Sequence, residues 1–224
     1  RIITYGENPQ ADARLVDLTP TGGGSTFKVV FRNRKTDATH EIADIVLPMP
    51  GRHNASNATA AIAVAHELGI SDDAIRTAIA GFGGVKRRLE VRGASGNVTV
   101  YDDFAHHPTA IAATIAGLRQ RIDGGRILAV LEPRSNTMKL GVMKAQLPDS
   151  LRGAELTFCY AAGLGWDVRG ALQPLGERAQ VFEDIEALVA AVSAAARGGD
   201  HVLVMSNGDF CGVHVRLLEA LAAR

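Results

Sequence analysis

Apolar positions along this chain fall into two regimes. Up to about residue 50 they come in short alternating runs. Phe27, Val29 and Phe31 are separated by polar residues, the two-residue period of a half-buried strand. Gly22-Gly23-Gly24 supplies a turn before that run, and Arg32-Asn33-Arg34-Lys35-Thr36-Asp37 fits a hairpin tip. Glu41 to Leu47 returns as a second strand, stopped by Pro48-Met49-Pro50-Gly51. Helical spacing then takes over. Residues 55–68 are rich in Ala, with Ile62, Val64 and Leu68, and predict a helix ended by Gly69. Ser71 caps a second helix from Asp72 to about Ala80. Gly81-Phe82-Gly83-Gly84 ends it, and the basic run Lys86-Arg87-Arg88 marks a domain boundary.

From Leu89 onward strand and helix alternate. The pattern predicts strands at 97–102, 126–131, 155–160 and 201–206, and helices at 109–122, 142–152, 184–196 and 213–223. Alternation of this kind implies βαβ units with right-handed crossovers, hence an α/β fold with a mostly parallel sheet.

Composition narrows the picture little further. A length of 224 residues holds one large domain or two smaller ones, and 46% apolar content suits a packed globular protein. A formal net charge of zero gives no electrostatic case for nucleic acid or a membrane surface. The apolar runs are shorter than a membrane span needs. The opening Arg1-Ile2-Ile3-Thr4-Tyr5 lacks Met and reads as the middle of a longer protein, cut at a strand. Cys159 lies in a strand pattern and Cys211 in a Gly-rich turn, neither in a metal-ligand spacing, so a reducing cytoplasm is the expected compartment.

Chemistry concentrates where strands end. Asp102-Asp103-Phe104-Ala105-His106-His107-Pro108 follows an apolar strand and precedes a helix, at the carboxyl edge where open α/β sheets bind ligands. One of its two carboxylates can equally cap the turn, with Pro108 opening the helix. A metal hydrolase site on Asp103, His106 and His107 is conceivable, but adjacent histidines rarely point the same way, and no metal site is assigned. Glu132-Pro133-Arg134-Ser135-Asn136-Thr137-Met138-Lys139 follows the strand at 126–131, and Arg134 offers a fork for a carboxylate. Ser206-Asn207-Gly208-Asp209-Phe210-Cys211-Gly212 again follows a strand, with glycines that permit close backbone approach. In Gly51-Arg52-His53-Asn54-Ala55-Ser56-Asn57, the amides of Asn54 and Asn57 are three apart and share a helix face. They suit an adenine edge as well as a helix cap, and spacing leaves both readings open. For Lys86-Arg87-Arg88, spacing alone favours a solvated surface. No Gly-x-x-x-x-Gly-Lys-Ser/Thr phosphate loop occurs.

Taken in order, Gly51-x-His53-Asn54-x-x-Asn57-x-x-Ala60-Ala61, Gly84-Val85-Lys86-Arg87-Arg88 and Asp102-Asp103-x-x-His106-His107-Pro108 resemble the ATP-dependent Mur ligase family of peptidoglycan synthesis. The last motif resembles the branch acting on UDP-N-acetylmuramate. Within it, the 132–139 loop is similar to that of the recycling ligase that attaches a free murein tripeptide, L-alanyl-γ-D-glutamyl-meso-diaminopimelate. The resemblance implies that residues 1–84 end the central ATP-binding domain and that 85–224 form the Rossmann-like C-terminal domain. The implied reaction makes an amide from the lactyl carboxylate of UDP-N-acetylmuramate through an acyl phosphate. Its cofactors are ATP and Mg2+, the magnesium site lying mostly in an N-terminal part outside this chain, and the chain alone is expected to be inactive. The resemblance implies adenine contacts from Asn54 and Asn57 with His53 beside them, and ribose and phosphate contacts from Arg88 and Asp103. It places catalytic His106 and His107 near the incoming amine, and Arg134, Ser135 and Asn136 on a peptide carboxylate. The alternatives are the L-alanine-adding ligase of the same family and a nucleotide-binding module without chemistry.

Overall fold

The structure, a computed structural model, describes residues 2–34 and 36–224. The chain divides into two compact units. One runs to Gly84 and includes residues 120–122. The other comprises Val85–Arg119 and Asp123–Arg224.

In the first unit, strands β1 (Tyr5–Gly6), β2 (Ala13–Thr21), β3 (Gly24–Arg32) and β4 (Thr39–Leu47) form a sheet in that order. β1 lies parallel to β2, and the other neighbours are antiparallel. Phe27, Val29 and Phe31 are buried, as their alternation requires. The hairpin tip expected at 32–37 includes Lys35, which lies outside the described residues. Gly24 belongs to β3 rather than to the turn, because a Cβ there would come within 2.1 Å of the Leu47 carbonyl oxygen. Helices α1 (Arg52–Glu67) and α2 (Asp72–Ala80) cover one face, packing Ala55, Ala58, Ile62 and Ile75 against Leu15, Phe27, Val29, Ile42 and Ile45. The Ser71 hydroxyl accepts from the Ala74 amide, and Asp72 and Asp73 sit in the first turn, where carboxylates oppose the helix dipole.

The second unit holds β5 (Glu90–Ser95), β6 (Val98–Asp103), α3 (Pro108–Arg121), β7 (Ile127–Leu131), α4 (Asn136–Lys139), α5 (Leu147–Leu151), β8 (Leu156–Tyr160), α6 (Val168–Leu172), β9 (Ala179–Phe182), α7 (Ile185–Ala195), β10 (His201–Met205) and α8 (Val213–Ala222). The sheet order is β5-β6-β10-β7-β8-β9. Only the β5–β6 hairpin is antiparallel, giving the mixed, mostly parallel α/β sheet that the alternation predicts. Its turn, Gly96-Asn97, has φ of +57° and +59°, both left-handed, which matches the twist of paired strands. Val98, Val100, Leu128, Val130, Phe158, Val202 and Val204 face α7 and α8. By alternation, Ile127, Ala129, Leu131, Leu203 and Met205 face the other side, the side of Ile111, Ile115 and Leu118 of α3.

Two expectations fail for identifiable reasons. The helix expected at 142–152 is a 3₁₀ turn at Lys144–Gln146 followed by the short α5, because Pro148 has no amide to donate and sits in the first turn of a new helix. Strands β5 and β9 are edge strands whose burial does not follow a clean alternation, so period gave no signal for them.

Phe158 is fully buried between the sheet and its covering helices. Phe158→Ala is expected to lower the stability of the second unit by about 3–5 kcal/mol through lost burial and a residual cavity. Urea unfolding followed by fluorescence of Trp166, the chain's single tryptophan, reads this unit directly. A loss under about 1 kcal/mol would contradict the packing described.

Candidate functional site

The order of the second sheet decides which loops meet. β10 inserts between β6 and β7, with Met205 level with Asp103 on one side and Leu131 on the other. Three carboxyl-end loops therefore lie side by side: 104–107, 206–212 and 132–135. The 206–212 loop thus stands between the Asp-His cluster and the 132–139 loop.

Asp102 and Asp103 are 4% and 2% exposed, and alternation sends them to opposite faces. Asp103 knots the turn. Its Oδ2 accepts from the Leu89 amide at 2.9 Å, and its Oδ1 accepts from the Ala105 amide at 2.8 Å and the Thr114 hydroxyl at 3.2 Å. Burial raises the Asp103 pKa, and those donors, with Arg88 3.9 Å away, offset only part of the effect. The ribose contact expected of Asp103 meets a buried carboxylate already engaged on both oxygens, a geometry that organises the turn.

Asp102 serves the opposite face. Arg87 Nε lies 3.4 Å from its carboxylate, and His214 Nε2 lies 3.3 Å away, within ion-pair reach but without hydrogen-bond geometry. Burial pushes its pKa up, but attraction to His214 and Arg87 outweighs this, and the net shift is downward. Arg87 also donates to the Ser206 carbonyl oxygen at 2.6 Å, and its guanidinium lies 5.3 Å from the Phe104 ring centroid. Arg88 lies 5.8 Å from the same ring. The solvated surface that spacing favoured for 86–88 holds for exposed Lys86 and Arg88 and not for half-buried Arg87, whose left-handed backbone (φ 58°) turns it onto the end of β6. A cavity of about 280 Å³ opens here, lined by Arg87, Arg92, Asp102, Gly208, Asp209 and His214 among others.

The two histidines present opposite characters. His106 Nδ1 lies 3.0 Å from the Phe104 carbonyl oxygen and so donates, and in the neutral form of the ring the lone pair is then on Nε2. His107 Nδ1 accepts from the Thr109 amide at 3.3 Å and caps α3, which Pro108 opens, leaving Nε2–H as a donor. Both rings are half-buried. Across the edge, Glu132 Oε2 accepts from Ser206 Oγ at 2.5 Å, and Ser206 Oγ accepts from the Gly208 amide at 2.9 Å. Arg134 is exposed, donates to Asp209 Oδ1 at 2.9 Å and lies 3.8 Å from Glu132. Ser135 caps α4 by accepting from the Met138 amide, and Asn136 is exposed. The side chain of Thr137 lies outside the described residues. Asn207 Oδ1 is buried without a hydrogen-bond partner among the described residues, an orphan acceptor in the central loop.

In the first unit, His53, Asn54 and Asn57 open α1. Gly51 (φ 100°) is the N-cap, so the capping reading of Asn54 is corrected. The buried Asn54 amide instead donates to the Pro50 carbonyl oxygen at 2.7 Å. Asn57 is exposed. The two amides do not form a matched pair on one accessible face, because the face carrying Asn54, Ala55, Ala58 and Thr59 is turned into the protein.

Sequence reasoning missed His214 and the cavity. His214 is 112 positions from Asp102 and meets it only because β10 and α8 return to β6; a histidine just after a Gly-rich turn was the one available signal. Among the described residues no three carboxylate or imidazole ligand atoms converge at this edge.

The arginines, carboxylates and imidazoles of this mostly parallel sheet gather at its carboxyl edge, where open α/β sheets bind ligands. Residues 87–208 match the Mur ligase glutamate ligase domain, and residues 1–65 match the Mur ligase middle domain. The chain belongs to the Mur ligase family. It is 51% identical over 223 residues to a UDP-N-acetylmuramate–L-alanine ligase of Nitrobacter hamburgensis, covering 93% of this chain and 47% of that protein. The chain thus spans about half the length of the curated relatives it matches. A murein peptide ligase from Psychrobacter arcticus is 34% identical with a TM-score of 0.73, covering 99% of this chain and 46% of that one. A UDP-N-acetylmuramate–alanine ligase from Thermotoga maritima, 22% identical with a TM-score of 0.75 over 97% of this chain and 47% of that one, shares the fold.

The two aspartates should respond to pH with opposite signs. A raised folded pKa means that Asp103 contributes stability fully below its unfolded value, lost as pH rises through the folded one. A lowered one means that Asp102 contributes above its unfolded value, with loss as pH falls through the folded one. Asp103→Ala, which orphans buried donors, is expected to cost about 1–3 kcal/mol or more, most at acidic pH. Asp102→Ala should cost most at neutral pH. Urea unfolding read by Trp166 from pH 4 to 7 checks both, and parallel profiles would refute the assignment.

Proposed function

We propose that this chain is the carboxyl half of an ATP-dependent ligase that joins L-alanine to the lactyl carboxylate of UDP-N-acetylmuramate. The observation that carries this reading is the 51% identity, across 93% of the chain, to a ligase of that name. The tripeptide partner expected from the 132–139 loop becomes the second reading. What favours it is that loop and the 34% identity to a murein peptide ligase. In either reading, residues up to 84 belong to the ATP-binding domain and 85–224 form the C-terminal domain that receives the amine substrate.

ATP activates the carboxylate to an acyl phosphate, and this chain's residues bind and orient. Arg88 supplies a cation for the nucleotide, with Asp103 fixing the backbone of Leu89 beside it. In the first unit, exposed Asn57 and half-buried His53 offer hydrogen-bonding groups to the base, and Asn54 holds the helix start. In its neutral form His106 offers an Nε2 lone pair that suits the proton lost by the substrate ammonium as it becomes the attacking amine, and the His107 Nε2–H suits an oxygen carrying developing charge. Arg134, beside Ser135 and Asn136, suits the amine substrate's carboxylate, since a guanidinium has five donors and Asp209 takes one. Mg2+ chemistry is not routed through these residues.

Phosphate release by the complete ligase with ATP, UDP-N-acetylmuramate and either L-alanine or the tripeptide tests the reading. Dependence on L-alanine is expected. Dependence on the tripeptide alone would transfer the assignment to the second reading, and dependence on neither would end both.

Arg134→Lys in the complete ligase should raise KM for the amine substrate roughly tenfold, about 1.4 kcal/mol, because a point charge cannot reproduce a bidentate fork. KM for ATP should change little. Equal effects on both constants, or no effect on either, would remove Arg134 from the site.

A further inference from the structure

We propose that the first unit carries a binding site for a divalent transition ion of the zinc class, built from His40, His66 and Asp72. The site is independent of the ligase reading, and no ligase step uses these residues. One ligand atom from each, an imidazole nitrogen or a carboxylate oxygen, lies within 4.8 Å of the other two. Three elements deliver them: His40 from the start of β4, His66 from the last turn of α1 and Asp72 from the first turn of α2.

The distances fit such an ion. A tetrahedral centre with ligand bonds of about 2.0–2.1 Å holds its ligand atoms roughly 3.3–3.5 Å apart. His40 Nε2 already lies 3.2 Å from Asp72 Oδ1 and 3.1 Å from Oδ2. The third ligand is kept close by stacking. The His66 ring lies over Phe31 with centroids 4.0 Å apart and over His40 at 5.1 Å, with an interplanar angle of 13° to His40. Nearly parallel, offset rings cannot both hold one ion in plane, so binding requires His66 to turn out of the stack toward Asp72. A cavity of about 300 Å³ adjoins the rings, lined by Phe31, His40, His66, Glu67, Asp12 and Arg32 among others. The cation in that wall, Arg32, is paired with Asp37, and Asp12 is paired with Arg34, so neither lies between the ligands.

Two imidazoles and one carboxylate select the ion. That set suits zinc and its neighbours, whereas magnesium and calcium want oxygen ligands throughout. Three protein ligands leave a fourth position for water. The alternative is an ion pair between His40 and Asp72 that ties β4 to α2, with His66 packed beside it and no affinity for metal.

Calorimetric titration of the 224-residue chain with ZnCl2, absorption spectra with CoCl2 and thermal melting decide between the two. The expected results are one saturable zinc per chain, tetrahedral Co2+ bands, a higher melting temperature with Zn2+ and none of these with MgCl2. His66→Gln and Asp72→Asn should each weaken zinc binding roughly tenfold or more. Lack of saturable binding, or octahedral cobalt bands in the unaltered chain, would overturn the site without any variant needing to fold. Undiminished affinity in a folded His40→Gln/His66→Gln double variant would overturn it as well, assigning the metal to other histidines or Cys211.

Discussion

The buried carboxylate of Asp103 is the constraint on which the carboxyl edge of the second unit depends. Removing a carboxylate from water is costly unless donors replace the water. Here the donors come from three separate places: the Leu89 amide ahead of β5, the Ala105 amide in the following turn and the Thr114 hydroxyl in α3. One side chain thereby fixes the entry to the hairpin, the turn that carries both histidines and the helix that the turn feeds. The placement of Arg88 beside Phe104 and of His106 against the Phe104 carbonyl oxygen follows from that knot.

Asp102 shows how a single strand end serves two sides. Alternation turns it away from α3 toward α8, where it takes Arg87 and His214 as partners. The neighbouring carboxylates differ in what answers their burial: backbone and hydroxyl donors with Arg88 farther off at Asp103, His214 and Arg87 at Asp102. At Asp103 burial still leaves the pKa raised, while His214 and Arg87 bring the Asp102 pKa below its ordinary value. The Arg87 guanidinium then reaches the Ser206 carbonyl oxygen, so the ion pair on β6 also holds the loop after β10.

Local period made much of this fold legible. The Phe27-Val29-Phe31 alternation, the Ser71 cap, the Pro108 helix start and the strands β6, β7, β8 and β10 all follow from neighbours in sequence. The order of strands does not. β10 lies between β6 and β7 through crossovers that leave no local mark, and so the 206–212 loop, the central one, looked like an isolated Gly-rich turn. His214 was invisible for the same reason. Arg87 was misread because a run of like charges normally stays in water. What turns it inward is an unusual backbone, with left-handed Arg87 at φ 58° and Leu89 at φ 49°. Such conformations cost about 1–3 kcal/mol each and are held here by hydrogen bonds from Phe104 to the Arg87 carbonyl oxygen and from Leu89 to Asp103.

The conflict over the amine substrate has a structural counterpart. A short motif assigns the 132–139 loop by its own residues, but that loop does not stand alone. Arg134 lies directly over Gly208, where a Cβ would come within 2.7 Å of its side chain, and it bonds to Asp209. Glu132 in turn accepts from Ser206. The surface that Arg134 presents is therefore a joint product of two loops 75 positions apart, with the absent Cβ of Gly208 leaving space for the guanidinium. A motif read from one loop leaves out the loop that it packs against. Similarity over 93% of this chain samples both loops together, and the Asn207 acceptor, buried and without a hydrogen-bond partner among the described residues, lies in the second of them.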